Sequence, residues 1–247
     1  MPGMKEIQMD DALSIADNCL IELKVDGSRM TFNGTSMVSD RDVNRDARYP
    51  HVLEELQKID WVCRGEMAVP GGNVLQLNKS ENWSKAKIYI FDIFEYEGQD
   101  LRGNSPRENR WVIEDILRRN NLYQIAAPKL FNTFDAGWQY VCEKGAEGLV
   151  LKELANGKAH KIKKLTEEKL PIVGYEPGKG KGAFILLRGD VRCKVSGTSE
   201  AYVAKYKQML AAGLAPHAEI EYQFLTDNGI PFQPRLRRLD TLVNLNS

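Results

Sequence analysis

Residues 20–29, near the start of the chain, alternate apolar and polar side chains with the period of two that is typical of a half-buried β-strand. The apolar positions, which would face a core, are Ile21, Leu23 and Val25. Glu22, Lys24 and Asp26 share the opposite face, and Gly27 then ends the strand. A lysine between two carboxylates is either part of a solvated strand surface or a nucleophile, and this pattern alone favours neither.

The pattern up to about residue 165 predicts several strands and a few amphipathic helices. An Asn-Gly pair at residues 33–34, between two apolar runs, is typical of a hairpin turn. Ser105 and Glu108 form the capping signature of a helix that should run to about residue 120. Gly145 is predicted to end a second helix. The other predicted elements are a helix over 50–59 and strands over 61–69, 87–94, 130–134, 148–152 and 160–164.

The pattern changes near Leu170 and Pro171, where we predict a domain boundary. One helix is predicted from Ser199 to about Ala212, with Gly213 after it. Five short strands surround this helix in the sequence, over residues 171–175, 183–187, 190–195, 219–225 and 232–239. Five strands and one helix in fewer than 80 residues suit a small closed barrel such as the OB-fold, which often binds nucleic acids.

Composition excludes several classes of protein. Of the 247 residues, 43% are hydrophobic and 28% are charged, as in ordinary globular proteins. No apolar run has the length needed to span a bilayer, and the N-terminus lacks the pattern of a secretory signal, so we expect a cytoplasmic protein that does not enter membranes. The four cysteines and three histidines are scattered, which argues against a zinc site or a disulfide framework.

Charge is distributed unevenly, although the formal net charge is zero. Residues 1–157 contain 19 Lys+Arg and 25 Asp+Glu, a net charge of −6. Residues 158–247 contain 15 and 9, a net charge of +6. Either the second part contacts a polyanion, or two ordinary domains differ by chance in their surface charge.

Charged and aromatic residues recur on the predicted strands in a way that suits a nucleoside triphosphate. Phosphates attract cations, a divalent metal needs carboxylates, and a purine packs on an aromatic face. The candidates are the nucleophile Lys24, the carboxylates Glu66 and Glu147, the aromatic Phe91, and the cations Arg29, Lys161 and Lys163. The sequence contains neither a P-loop nor a dinucleotide-type GxGxxG after a strand, so a nucleotide would be bound without a glycine-rich loop.

These residues lie in motifs that resemble those of the covalent nucleotidyltransferases, which include ATP-dependent DNA ligases, RNA ligases and mRNA capping enzymes. Lys24-Val25-Asp26-Gly27 matches the KxDG signature of this group. The motifs that follow in the expected order are Ser39-Asp40-Arg41, Arg64-Gly65-Glu66, Phe91-Asp92, residues 147–152 and Lys161-Ile162-Lys163. Residues 173–180 and 229–240 are similar to the OB domain of small bacterial and phage DNA ligases.

The resemblance to ATP-dependent DNA ligases implies an α+β architecture of two domains. Residues 1–169 would form an antiparallel-sheet nucleotidyltransferase domain, similar to ATP-grasp proteins, and residues 170–247 an OB-fold barrel. Because only 23 residues precede Lys24, the resemblance is to the minimal form of the family, without an additional N-terminal DNA-binding domain. It also implies a monomer that takes part in DNA repair, replication or recombination.

The same resemblance implies a role for each motif residue. Lys24 would lose a proton, attack the α-phosphate of ATP and carry AMP. The implied nucleotide contacts are Glu22 and Phe91 for the base, Arg29 and Glu66 for the ribose and phosphate, Lys161 and Lys163 for the α-phosphate, and also Arg41 and Lys152. Glu66 and Glu147 would bind Mg²⁺ or Mn²⁺. The implied DNA contacts are Arg41 at the 5′-phosphate of a nick, with Lys179, Lys181, Arg235 and Arg238.

Three positions depart from the family pattern. Arg64 replaces the usual aspartate before Gly65-Glu66, and Ala159 stands where a tryptophan often precedes the paired lysines. The C-terminal motif ends at Asp240 without its usual following lysine, so the residue that would orient pyrophosphate is not identified.

The expected function is the sealing of nicks in duplex DNA with ATP, and two alternatives stay open. An RNA ligase or RNA-capping enzyme shares the KxDG signature, and a capping enzyme would use GTP. A non-catalytic nucleic-acid-binding protein with the same fold is less compatible with the intact motifs.

Overall fold

The computed structural model describes residues 4–178 and 182–241, and the chain divides into two compact units, Met1–Lys163 and Lys164–Ser247. This division lies six residues before the predicted boundary at 169/170. The reason is that one long strand, Thr166–Glu176, pairs along its length with other strands of the second unit. The proline at position 171 therefore lies inside a strand instead of between domains.

The first unit contains eleven strands and five α-helices among its described residues. The strands are β1 (Lys5–Glu6), β2 (Cys19–Lys24), β3 (Ser28–Phe32), β4 (Met37–Ser39), β5 (Trp61–Ala68), β6 (Lys87–Tyr96), β7 (Gln99–Asp100), β8 (Ile125–Ala126), β9 (Leu130–Phe131), β10 (Gly148–Glu153) and β11 (Ala159–Lys163). The helices are α1 (Met9–Ile15), α2 (Pro50–Leu56), α3 (Val74–Leu77), α4 (Pro106–Arg119) and α5 (Phe134–Lys144).

These strands form two mainly antiparallel sheets. Sheet 1 has the order β1-β11-β10-β2-β9, and sheet 2 has the order β4-β3-β5-β6-β7 with β8 beside β6. Two strand pairs, β1 with β11 and β6 with β8, are parallel. Each sheet has its own apolar core, which includes Val141 of α5 against sheet 1 and Ile113 of α4 against sheet 2. The α+β class with antiparallel sheets is therefore confirmed.

Local signals in the sequence explain where the helices begin and end. Ser105 accepts a hydrogen bond from the amide of Glu108, and the Glu108 carboxylate accepts one from the amide of Ser105, which completes the capping box of α4. Gly145 adopts the left-handed conformation and ends α5. The short helices α1 and α3 were not expected from the sequence.

The described part of the second unit contains the five strands and one helix that the sequence predicts. They are β12 (Thr166–Glu176), β13 (Ala183–Arg188), β14 (Val191–Ser196), α6 (Glu200–Ala211), β15 (Pro216–Tyr222) and β16 (Arg235–Thr241). The sheet order is β14-β13-β12-β15-β16. A closed barrel would need β14 to pair with β16, and residues 164–178 and 182–241 contain no such pairing. The described part of this unit is therefore a five-stranded antiparallel sheet with one helix.

No helix within the described parts of the chain is both long enough and apolar enough to cross a membrane.

Candidate active site

A cavity of about 930 Å³ in the first unit brings six of the predicted site residues together. Its lining comes from both sheets, from the residues that precede and begin α4, and from the turn between β10 and β11. The predicted residues that line it are Glu22, Lys24, Arg29, Glu66, Phe91 and Lys152. The wall is assembled from distant parts of the sequence, since β2, β5, β6 and β10 each contribute two or three lining residues.

Lys24 is fixed at the last position of β2 by a buried carboxylate. Its Nζ lies 2.6 Å from Oε2 of Glu147, and Nζ of Lys163 lies 2.8 Å from Oε1 of the same residue. Gly148 is opposite Lys24 on β2 and opposite Lys163 on β11, which places Glu147 between the two lysines. The two ammonium groups therefore share one carboxylate. A new anion near Lys24 would compete with Glu147 for these ammonium groups.

Two glycines allow this arrangement because the backbone passes too close for a side chain. A Cβ on Gly148, whose φ is +155°, would lie 2.0 Å from the carbonyl oxygen of Ile162. A Cβ on Gly27 would lie 2.1 Å from the carbonyl oxygen of Met67 on β5. Gly27 thus lets the turn after Lys24 contact sheet 2, which explains the final residue of the KxDG pattern in physical terms.

Two carboxyl groups near Lys24 have raised pKa values. Burial raises the pKa of Glu66 from 4.5 to about 7, although Lys24 and Arg29 oppose this shift. Burial, and then the charge of Glu147, raise the pKa of Asp26 from 3.8 to about 6. Perturbed pKa values of neighbouring groups are typical of functional sites.

Glu22 forms a second group of buried charges, on the part of the wall near Phe91. It is 2% exposed; its Oε1 accepts a hydrogen bond from Nη1 of Arg110 at 2.9 Å, and its Oε2 lies 2.8 Å from Nζ of Lys152. Lys152 also donates to the carbonyl oxygen of Phe91, and its Nζ lies 5.6 Å from the centre of the Phe91 ring. The base-binding candidates Glu22 and Phe91 are therefore linked through one lysine.

Arg29 extends the cavity wall on β3, directly opposite Glu66 of β5. Its Nη1 lies 3.3 Å from Oδ2 of Asp40, and its Nε is buried without a hydrogen-bond partner among the described residues. A buried donor of this kind is costly unless a ligand satisfies it.

Arg64, the first departure from the family pattern, also lines the cavity. It is opposite Asp92 in the strand register, and its guanidinium lies 5.0 Å from the centre of the Phe94 ring. Burial raises the pKa of Asp92, and Lys152 and Arg64 oppose that shift. The arginine thus supplies a positive charge beside a partly buried carboxyl group.

Several predicted residues do not line the cavity. Lys161 lies on β11 two residues before Lys163; burial, and then the charge of Lys163, lower its pKa. Arg41 is exposed in the turn after β4. Arg235 and Arg238 are exposed on β16 of the second unit. Nη1 of Arg235 lies 3.7 Å from Oε1 of Glu221, and Nη2 of Arg238 lies 2.7 Å from Oε2 of Glu219. The predicted DNA contacts Lys179 and Lys181 lie outside the described residues.

Glu66 and Glu147, the carboxylates proposed to bind a metal ion, could form only part of a metal site. A bound ligand would have to supply further oxygen atoms. Among the described residues, no group of three or more His, Cys, Asp or Glu side chains could hold a metal ion. Burial raises the pKa of Glu66, and the charge of Glu147 adds to this shift, as expected of two neighbouring carboxyl groups. Mg²⁺ is commonly held by one or two carboxylates together with substrate phosphates and water, and this pair fits that kind of site.

The sequence prediction missed Arg110, which is 8% exposed and contacts Glu22 from behind the cavity wall. A signal was present, because Arg110 lies three and six residues before the buried Ile113 and Ile116 on α4. An arginine on the apolar face of a helix requires a buried partner.

Comparison with known proteins shows similarity in structure at low sequence identity. No protein-family model matches the chain. A structure of Lig E DNA ligases, described as binding DNA with a minimal scaffold, matches with a TM-score of 0.69 and 16% identity over 97% of this chain and all of the other. A structure named Pmar-Lig matches with a TM-score of 0.74 and 17% identity, over 96% of this chain and 66% of the other. Mycobacterial DNA ligase D complexed with ATP and MES matches with a TM-score of 0.55 and 20% identity, over 92% and 91%. The chain shares the fold of these ligases.

Proposed function

We propose that this protein is an ATP-dependent DNA ligase that seals nicks in duplex DNA. The observation that carries the proposal is the pairing of Lys24 with Glu147, 2.6 Å away, at the edge of a cavity that also presents Glu22, Phe91 and Arg29. The fold shared with Lig E and with ligase D complexed with ATP supports the same function. A lone lysine on a strand would be a surface charge, but a half-buried lysine with a carboxylate partner inside a cavity is suited to nucleophilic catalysis.

In the first step, Nζ of Lys24 forms a bond to the α-phosphorus of ATP while the bond to pyrophosphate breaks. The lysine must first give up a proton, and Glu147 is the acceptor already hydrogen-bonded to it. Lys163, on the other oxygen of Glu147, would neutralise charge on the α-phosphate together with Lys161 of the same strand. Arg29 and Glu66 would contact the ribose and phosphate, while Phe91 and Glu22 would contact the base.

In the next two steps, AMP passes from Lys24 to the 5′-phosphate of the nick, and the 3′-hydroxyl then displaces AMP. The first transfer breaks the bond between nitrogen and phosphorus and forms a phosphoanhydride. The second forms the phosphodiester and releases AMP. The exposed Arg41 is suited to the 5′-phosphate because an arginine can hold two phosphate oxygens at once.

A divalent ion, Mg²⁺ or Mn²⁺, would be held by Glu66 and Glu147 together with ATP phosphates, and would neutralise charge that develops on those phosphates. The role of the two residues is to supply oxygen ligands at fixed positions near Lys24.

The second unit would contact DNA. We propose that it is an OB-fold domain, since its strand order needs only the pairing of β14 with β16 to close a barrel. Arg235, Arg238, Lys179 and Lys181 would supply contacts to DNA phosphates. We propose that the enzyme acts as a monomer in the cytoplasm and serves DNA repair, replication or recombination.

The proposal is tested by incubating the protein with Mg²⁺ and ATP labelled at the α-phosphate. We expect label that survives denaturation and is released by acid, as a bond between nitrogen and phosphorus requires. Lys24→Ala should abolish the labelling, whereas Lys58→Ala, at an exposed lysine outside the cavity, should leave it unchanged. GTP labelled in the same position should give no adduct. An unlabelled wild type, or equal labelling of Lys24→Ala, would refute the proposal.

A further inference from the structure

Arg110 lies outside the cavity but contacts one of the residues that line it. It is held by acceptors on three sides: Glu22 of β2 at 2.9 Å, the carbonyl oxygen of Pro128 at 2.8 Å, and Glu114 of its own helix at 2.7 Å. An arginine with three fixed acceptors loses its rotational freedom, so its guanidinium becomes a rigid support for the Glu22 carboxylate.

The two oxygens of Glu22 are each held by a different cation. Arg110 donates to one and Lys152 to the other. Both oxygens of Glu22 therefore take part as acceptors, and their remaining lone pairs offer acceptor positions to a base in the cavity. Because Lys152 also donates to the carbonyl oxygen of Phe91, the acceptor and the aromatic ring are fixed relative to each other.

We propose that Arg110 is the positioning residue that makes this site select a nucleobase with an exocyclic amino group beside Glu22. This inference rests on the proposed function, since it assumes that a purine nucleotide occupies the cavity. An amino group at C6 of a purine can donate to Glu22. A carbonyl at C6 brings a second acceptor against a carboxylate that cannot donate, so that base is rejected.

The consequence is specific to one contact. Removal of Arg110 takes away one of the two donors that hold the Glu22 carboxylate, so the side chain can turn away from the base and no longer oppose a carbonyl. Affinity for adenine nucleotides should fall, whereas affinity for nucleotides with a carbonyl at C6 should be unchanged or higher. Damage to the fold of the cavity would instead lower both affinities by the same factor.

The test measures equilibrium binding of ATP and of inosine triphosphate, which differs at C6, to proteins that carry Lys24→Ala so that no covalent adduct forms. We expect Arg110→Met to reduce the ratio of ATP affinity to inosine triphosphate affinity by about 10-fold or more, as loss of a charged hydrogen bond implies. Arg118→Met, at an exposed arginine of the same helix that does not line the cavity, is the matched control, whose ratio should stay within about two-fold of the parent.

A second variant covers the case in which Arg110→Met does not fold. Arg110→Lys keeps the charge but lacks the rigid planar guanidinium, so it holds Glu22 less firmly and an intermediate ratio is expected. An unchanged ratio in the folded variants, equal losses for both nucleotides, or no binding of ATP to the parent would overturn the inference. The two proposals can fail separately, because nucleotide binding is measured in proteins that lack Lys24. Failure of the wild type to become covalently labelled would refute the ligase proposal but would not change the measured ratio of nucleotide affinities.

Discussion

Glu66 is a partly buried carboxyl group that affects the stability of this protein and, in the proposed function, its chemistry. Its pKa of about 7 arises because burial penalises the charged form more than Lys24 and Arg29 favour it. The folded protein therefore holds this proton at pH values where the unfolded chain, with a pKa of 4.5, has already lost it. Stability from this group is present below about pH 4.5 and is lost as the pH rises to about 7.

Substitution Glu66→Gln should remove this pH dependence. The amide cannot ionise, so the variant should be about as stable as the wild type at pH 4.5 and more stable at pH 8, by about 3 kcal/mol at ~1.4 kcal/mol per pKa unit. Urea unfolding at both pH values measures the difference. Glu54→Gln, at an exposed carboxylate, should shift neither value. A constant difference between wild type and Glu66→Gln across this range would show that Glu66 is not the titrating group.

Strand ends and turns, at the scale of elements, determine whether the site can form. The turn after β2 approaches β5 so closely that only glycine fits at position 27, and β10 begins at a glycine for the same reason. These two positions need a residue without a side chain. A pattern of hydrophobic and polar residues does not reveal such a need.

Substitution Gly27→Ala should destabilise the first unit by about 3 kcal/mol, since its Cβ would lie 2.1 Å from a backbone oxygen that cannot move aside cheaply. Gly103→Ala is the matched control, because a Cβ there has no neighbour within 4 Å and φ is not positive. It should change stability by less than about 1 kcal/mol. Chemical unfolding measures both; equal stability of the two variants would mean that the turn relaxes without cost.

The distribution of charge is the feature that matters for the whole molecule. The net charge of +6 over residues 158–247 suits contacts with DNA phosphates, while the acidic first part contains the cavity proposed to bind the nucleotide. Contacts with phosphates release counterions, so their affinity depends steeply on salt, whereas a half-buried ion pair such as Lys24 with Glu147 is screened much less.

Nick sealing should therefore fall much more steeply with salt than the covalent labelling of Lys24 does. Between about 50 and 200 mM salt we expect sealing at limiting DNA to drop by a factor of about 10³ if six phosphates are contacted. Labelling with ATP in the same buffers is the internal control and should change only a few-fold. If sealing and labelling decreased equally, the salt-sensitive step would be the reaction with ATP and not the binding of DNA, which would contradict this prediction.

Sequence patterns were sufficient for much of the fold and for part of the site. The alternation around Lys24, the capping box at Ser105 and the strands of the second unit are local properties, and the structure contains each of them. The ordered motifs also indicated that Glu22, Glu66 and Phe91 would come together in one cavity, as they do. Local periodicity determines which face of a strand is polar, and motif order carries the family resemblance.

Only the tertiary structure decided which of these charges are partners. The sequence alone did not indicate that Glu147 would bridge Lys24 and Lys163, or that Arg110 would lie behind Glu22 from a position 88 residues away. Those pairings depend on strand register and helix packing, which are long-range properties. Electrostatic energies depend on burial and separation, so the protonation of Glu66 and the selectivity inferred for Glu22 follow from the assembled cavity.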